Sequence, residues 1–386
     1  MFKKSNFIFI ITFIFIFIFI GAINYYIDPY EILFHKEKSL YLFNTKKELI
    51  ETTLNLSKKS KFNYVVMGSS TTNDFLNKDI LYDKKTIFMT TNQFDIIKQV
   101  DYLDFVLETH PEINTIIFPI EYAFFSIDDV NKTYPVNKKR LTINDISRLL
   151  FSKEATQKSV KKILSNISTP KNIKKRKKPI PENINDETFV KKLNLSIFYK
   201  RNYRDCIFPP FQKEKFTALE KIKKIVEKRN KKIIFIFPPY HAMAQGAFFI
   251  KGKNNEIEYI KKYVTSNFQN VEVIDFAFIN KYTSEPLEKT YNYKDIMHPN
   301  GEPGHLFYCA LKYPNEFKNK DLYIHLTQEN IDNTLTLQRK RLKEYTNNNI
   351  ENINKFMEYE IRSWNERIEK EYYPPNNCNG YLNATK

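Results

Sequence analysis

The sequence predicts an α/β fold, a mostly parallel sheet with helices on both faces. Short apolar runs rich in β-branched residues recur through the middle of the chain, each stopped by Gly, Pro or a polar residue. Amphipathic segments with helical spacing separate them, and strands that are apolar on both sides belong in a sheet covered on both faces. The chain has 386 residues with a hydrophobic fraction of 42%, enough for a packed core and too much for general disorder.

The elements follow in order. Lys3 and Lys4 precede a Phe/Ile run over residues 7–23, and Asp28 and Glu31 follow it. The run is about long enough to span a bilayer. Its flanking charges favour an anchor with the amino terminus inside the cell and the rest of the chain outside, at an inner or plasma membrane. A signal peptide cleaved near Ala22 is the competing reading; Ile20 fits cleavage poorly, and Tyr25 and Tyr26 suit a membrane interface. Residues 28–60 read as a membrane-proximal arm, separate from the main domain at 61–315. Within that domain, strands are predicted at 63–67, 86–89, 114–118, 232–237 and 271–274, with helices at 95–107, 216–226 and 257–268. Residues 126–212 interrupt the alternation with two helical stretches (142–150 and 152–164) and a basic, proline-flanked loop at 170–181. That insertion is expected to cap the strand ends. Residues 316–386 read as a helical extension, with amphipathic helices at 331–345 and 350–368.

The net charge of +17 comes from lysines scattered through most elements. The accompanying excess of Asn, Ile, Phe and Tyr is what AT-rich coding would produce, and no nucleic-acid-binding motif goes with it. Nucleic acid is not an expected partner. Cys206, Cys309 and Cys378 are far apart and form no C-x-x-C pair. No cofactor is implied. A metal site built from Asp295, His298 and His241 matches no common ligand spacing.

Two distant segments carry the chemistry. The strand at 63–67 runs into Gly68-Ser69-Ser70, and Asp295 stands three residues before His298 near the end of the domain. A serine at its ordinary pKa is a weak nucleophile and needs an imidazole to take its proton. A carboxylate must orient that imidazole and stabilise its charged form. Ser70, Asp295 and His298 supply those three groups, and parallel sheets assemble sites where Ser70 would sit, beyond the carboxyl ends of the strands. The plainer reading makes Ser69, Ser70, Thr71 or Thr72 a helix cap and Asp295 another. His241, after the turn at Pro238-Pro239, could line the same site, while His35, His110, His305 and His325 read as surface or packing residues.

With these motifs the chain resembles the SGNH/GDSL hydrolase superfamily, and most of all its membrane-anchored bacterial branch, which includes alginate O-acetylases and the D-alanyl-lipoteichoic acid transfer protein. The resemblance covers about residues 63–313 and the anchor, including Phe237-Pro238-Pro239-Tyr240-His241, similar to the fourth-strand region of that branch. It implies a flavodoxin-like three-layer sandwich on a five-stranded, mostly parallel sheet. It implies Ser70 as nucleophile, with His298 and Asp295 completing a triad. It also implies a serine esterase or O-acyltransferase acting on an ester of a cell-envelope glycan, with a surface glycan or an acyl-donor membrane protein as partner. The family takes oxyanion donors from a glycine after the second strand and an asparagine after the third. This chain has no glycine between Gly68 and Gly246, and Phe118-Pro119-Ile120-Glu121-Tyr122 contains no asparagine. Gly68, Ser69, Asn92 and His241 are the remaining candidates for oxyanion or substrate contacts. Those departures leave open a second class, a non-catalytic envelope scaffold or glycan-binding protein that keeps the fold.

Overall fold

The computed structural model describes residues 2–29, 40–42, 50, 53–54, 57, 61–76, 85–90, 96–121, 123–126, 147, 150–168, 213–268, 271–286, 293, 296–299 and 322–354. Its centre is a seven-stranded sheet of β1 (Leu40–Tyr41), β2 (Tyr64–Gly68), β3 (Thr86–Thr90), β4 (Thr115–Pro119), β5 (Lys232–Phe237), β6 (Val271–Asp275) and β7 (Ile324–Leu326). The spatial order is β1-β3-β2-β4-β5-β6-β7. Strands β1 to β6 pair in parallel, and β7 runs antiparallel to β6.

The five strands read from the sequence are β2 to β6, in register across the centre. Numbered by themselves they follow the doubly wound order 2-1-3-4-5, in which the winding reverses at the first strand. Here that strand is β2. Its neighbours β3 and β4 lie on opposite sides, which makes its carboxyl end the switch point where sheets of this order bind ligands.

Among the described residues the sheet has seven strands, where five were expected. The two edge strands have two and three residues, too short to show any alternation. They also move the expected boundaries. The arm at 28–60 is not separate: it contributes β1, and Leu42, Ile50 and Leu54 are buried in the main core. The carboxyl-terminal extension contributes β7 and helix α9 (Ile331–Asn348), whose Leu335 enters the same core.

Side chains alternate along the strands between two apolar clusters. On one face Val65, Met67, Ile87, Ile116 and Phe235 pack against helices α3 (Ile96–Thr109), α6 (Lys213–Lys228), α8 (Asn254–Asn267) and α9. On the other, Val66, Phe88, Ile117, Ile236 and Ile274 meet Leu76, Phe276 and Leu322. Both faces are therefore covered, which is why the strands read as continuous apolar runs.

The remaining helices are α1 (Phe2–Ile27), α2 (Ser70–Phe75), α4 (Ala123–Ser126), α5 (Lys153–Ser168) and α7 (Ala242–Ile250). Asn6–Ile27 of α1 spans 22 residues at a mean hydropathy of 2.8, long and apolar enough to cross a membrane. The insertion was expected to cap the strand ends. Most of it lies outside the described residues; its described helix, α5, packs along α1. The ring of Phe151 stacks on Phe17 at 4.1 Å between centroids and covers Gly21. The basic loop at 170–181 and all three cysteines lie outside the described residues.

Candidate active site

The site begins where β2 stops. Gly68 adopts φ +137°, a region side-chain-bearing residues rarely enter, and a Cβ there would collide with the Thr72 side chain. Gln99 of α3 holds the turn: the Gly68 N–H donates to its Oε1 at 3.3 Å, and its Nε2 donates to the Gly68 carbonyl at 3.1 Å.

The two serines then separate by role. Ser69 is the N-cap of α2: its Oγ accepts the Thr71 N–H at 3.1 Å, and its own N–H donates to Thr72 Oγ1 at 3.3 Å, a closed capping box. Ser69 is fully buried. Ser70 occupies the first helical position and is partly exposed. Its Oγ lies 3.2 Å from Nε2 of His298, across 228 residues of sequence. The cap thus falls to Ser69, and the adjacent Ser70 is the serine that faces the imidazole.

Beneath this turn lies Glu121, a residue that sequence reasoning passed over. It follows β4 and is 2% exposed. Ser69 Oγ donates to its two carboxylate oxygens at 2.7 Å each, and Thr72 Oγ1 donates to Oε1 at 2.9 Å. Burial pushes this carboxyl above the usual carboxylate range. The Ser69 and Thr72 hydroxyls and the nearby His298 pull it partly back. The available signal was its position, an acid two residues beyond an apolar strand neighbouring β2.

His298 reaches the turn on a short segment braced from behind. Tyr293 pairs with Pro299 as an isolated antiparallel bridge, and the buried Tyr293 hydroxyl donates to the Pro239 carbonyl at 3.0 Å. Burial and the charge of Glu285 drive that phenol's pKa up. The main-chain N–H of His241 donates to the Ile296 carbonyl at 2.9 Å, fixing the stretch immediately before His298.

His241 is placed in that brace. Its Nδ1 accepts the Met243 N–H at 3.1 Å and caps α7, so Nε2 carries the proton, donated to the Glu285 carbonyl at 2.7 Å. The ring stands edge-on to Tyr293 at 5.1 Å. With both nitrogens engaged and 1% exposure, its pKa is lowered to about 4, chiefly by burial. Asp295 and Asn92 lie outside the described residues. Among the described residues no group of three His, Cys, Asp or Glu side chains is placed to hold a metal ion.

A hydroxyl facing an imidazole nitrogen at this distance can pass its proton to the ring as it attacks an electrophile. Because α2 starts at Ser70, the Ser70 N–H has no partner within the helix and is available to a developing oxyanion.

No family model matches the chain, and no curated protein matches it. Among solved structures it is similar to one described as a "putative platelet activating factor" from Streptococcus pneumonia, at 11% identity and a TM-score of 0.37, covering 69% of this chain and 89% of that one.

Proposed function

We propose that this chain is a membrane-anchored serine esterase or O-acyltransferase of the SGNH/GDSL type, acting on an ester of a cell-envelope glycan. The observation that carries the reading is the 3.2 Å approach of Ser70 Oγ to His298 Nε2 at the carboxyl end of β2. In the proposed reaction His298 takes the Ser70 proton while Oγ bonds to the ester carbonyl carbon. The tetrahedral intermediate collapses as His298 returns that proton to the departing alcohol, leaving an acyl-serine. Water or an acceptor hydroxyl then repeats the sequence in reverse. By resemblance Asp295 orients the imidazole.

Retention of α1 as an anchor is supported by its contacts with the folded chain. Besides the Phe17–Phe151 stack, Asn24 Nδ2 donates to the Leu150 carbonyl at 2.6 Å and to Thr156 Oγ1 at 3.1 Å. A cleaved leader would forfeit all of these. Lys3 and Lys4 on the amino-terminal flank favour an extracytoplasmic site.

One observation favours the scaffold reading. The segment where the family places an amide donor here presents Glu121, an acid that would repel a developing oxyanion if it were charged and unshielded. A fluorophosphonate probe decides between the two. The esterase reading expects label on the full chain that Ser70→Ala abolishes and Ser69→Ala leaves in part. Absence of label beside a reacting control, with Ser70→Ala unchanged in ester hydrolysis, would leave the scaffold.

A further inference from the structure

Helix α5 has a position that catalysis does not require. It runs side by side with α1 and in the same direction. Phe151, just before α5, sits against Phe17 and Gly21; Thr156 bonds Asn24; Lys162 Nζ donates to the Asp28 carbonyl at 3.3 Å. At 1.5 Å per residue, Phe17 lies about 12 Å and Gly21 about 6 Å inward from Tyr25 along α1. If the pair Tyr25 and Tyr26 marks the outer interface, Phe151 falls within the outer half of a hydrocarbon core about 30 Å thick.

The exposed residues of α5 fit that depth. Lys153, Gln157, Val160, Lys161 and Leu164 form one stripe at helical spacing, and Val160 and Leu164 are 46% and 58% exposed. All five, with Ile20, Phe151 and Thr156, line a shallow groove beside α1. Ala155 and Ser159, on the opposite side, are buried. Four lysines (153, 158, 161 and 162) accompany one acid, Glu154, which pairs with Lys158 at 3.4 Å. Long lysine stems can lie along acyl chains while their ammonium groups reach headgroup phosphates.

We propose that α5 is a second membrane-contacting element: Phe151 is seated in the outer leaflet beside α1, and the Lys153–Leu164 stripe faces an anionic lipid surface. This rests on the reading of α1 as a retained anchor. Two contacts with lipid, not one flexible tether, then set the height and tilt of the α/β domain above the bilayer.

The test uses the full chain in vesicles containing phosphatidylglycerol, with its single native tryptophan removed as Trp364→Phe. Tryptophan is introduced singly as Phe17→Trp, Phe151→Trp or Val160→Trp, and folding is checked by circular dichroism. Lipids brominated in the upper acyl chain are expected to quench Phe151→Trp about as strongly as Phe17→Trp. Headgroup-linked quenchers are expected to act most on Val160→Trp, an exposed site that demands no repacking. If Phe17→Trp is quenched while Phe151→Trp and Val160→Trp both keep full, water-exposed emission, the proposal is overturned and the anchor stands. If Phe17→Trp escapes quenching, the anchor reading itself fails and this inference with it. Shielding of Val160→Trp only at high protein density would assign the stripe to a second copy of the chain, which also overturns it.

Discussion

Removing the Glu121 carboxylate would strand two buried hydroxyls at once, those of Ser69 and Thr72, each at a cost of about 1–3 kcal/mol. Both belong to the capping box that sets the direction of Ser70. Glu121→Ala is therefore expected to slow fluorophosphonate labelling of Ser70 on the order of 10²-fold, the scale of a misplaced reacting group. Glu121→Gln keeps an acceptor oxygen and should recover much of the rate. Labelling of the alanine variant at the wild-type rate would remove Glu121 from any positioning role. Gly68 makes a second residue-scale case. Gly68→Ala meets both an unfavourable φ, worth about 1–3 kcal/mol, and the Thr72 side chain. Its denaturation midpoint should fall accordingly, and an unchanged midpoint would mean that β2 can end another way.

Among elements, α7 and its cap His241 are tied to the segment carrying His298. The folded-state pKa of this histidine, about 4, lies below its ordinary value of 6.5. The unfolded chain therefore binds the extra proton between those values. The contribution is present in full above pH 6.5 and is lost as pH falls towards 4, on the order of 3 kcal/mol in total. Urea midpoints of the wild type should drop between pH 7 and 5 by more than those of His241→Asn, which keeps a capping side chain without the titration. Parallel pH profiles would contradict this account. Helix α9 is tied in by a buried pair: Lys261 Nζ donates to Asp275 Oδ2 at 2.5 Å, and Gln338 of α9 bonds both partners. Lys261→Met leaves a buried carboxylate unmatched and should cost about 3–5 kcal/mol. The double variant with Asp275→Asn should regain much of that loss. Equal stabilities of the single and double variants would rule the pairing out as the cause.

At the scale of the whole molecule, the sheet is completed from both ends of the chain. Leu40 and Leu42 lie under one edge and Leu326 and Leu335 under the other, all at most 4% exposed. A chain ending at residue 315, where the sequence suggested a boundary, would uncover the β6 edge and the apolar surface beneath α9. Such a truncation is expected to aggregate or to lose cooperative unfolding by near-ultraviolet circular dichroism. A sharp transition at the full-length midpoint would show the tail to be an appendage after all.

Periodicity and composition sufficed for β2 to β6, for α3, α6 and α8, and for the apolar α1, because each is long enough for local burial to repeat. They sufficed also for Ser70 and His298 as a pair, since a Gly-Ser-Ser turn after a strand and an Asp-x-x-His are local patterns. The edge strands, with two and three residues, have no period to read. His241 looked like a site residue because proximity in sequence to a strand end says nothing of what its two nitrogens bond. Glu121 was silent for the converse reason: an acid after an apolar run is ordinary until the fold buries it. What the sequence determined by itself was therefore each element whose environment repeats along the chain. Which serine points outward, which histidine meets it and what lies beneath them depend on contacts across 52 and 228 residues. Only the packing of the assembled sheet and its helices could decide those.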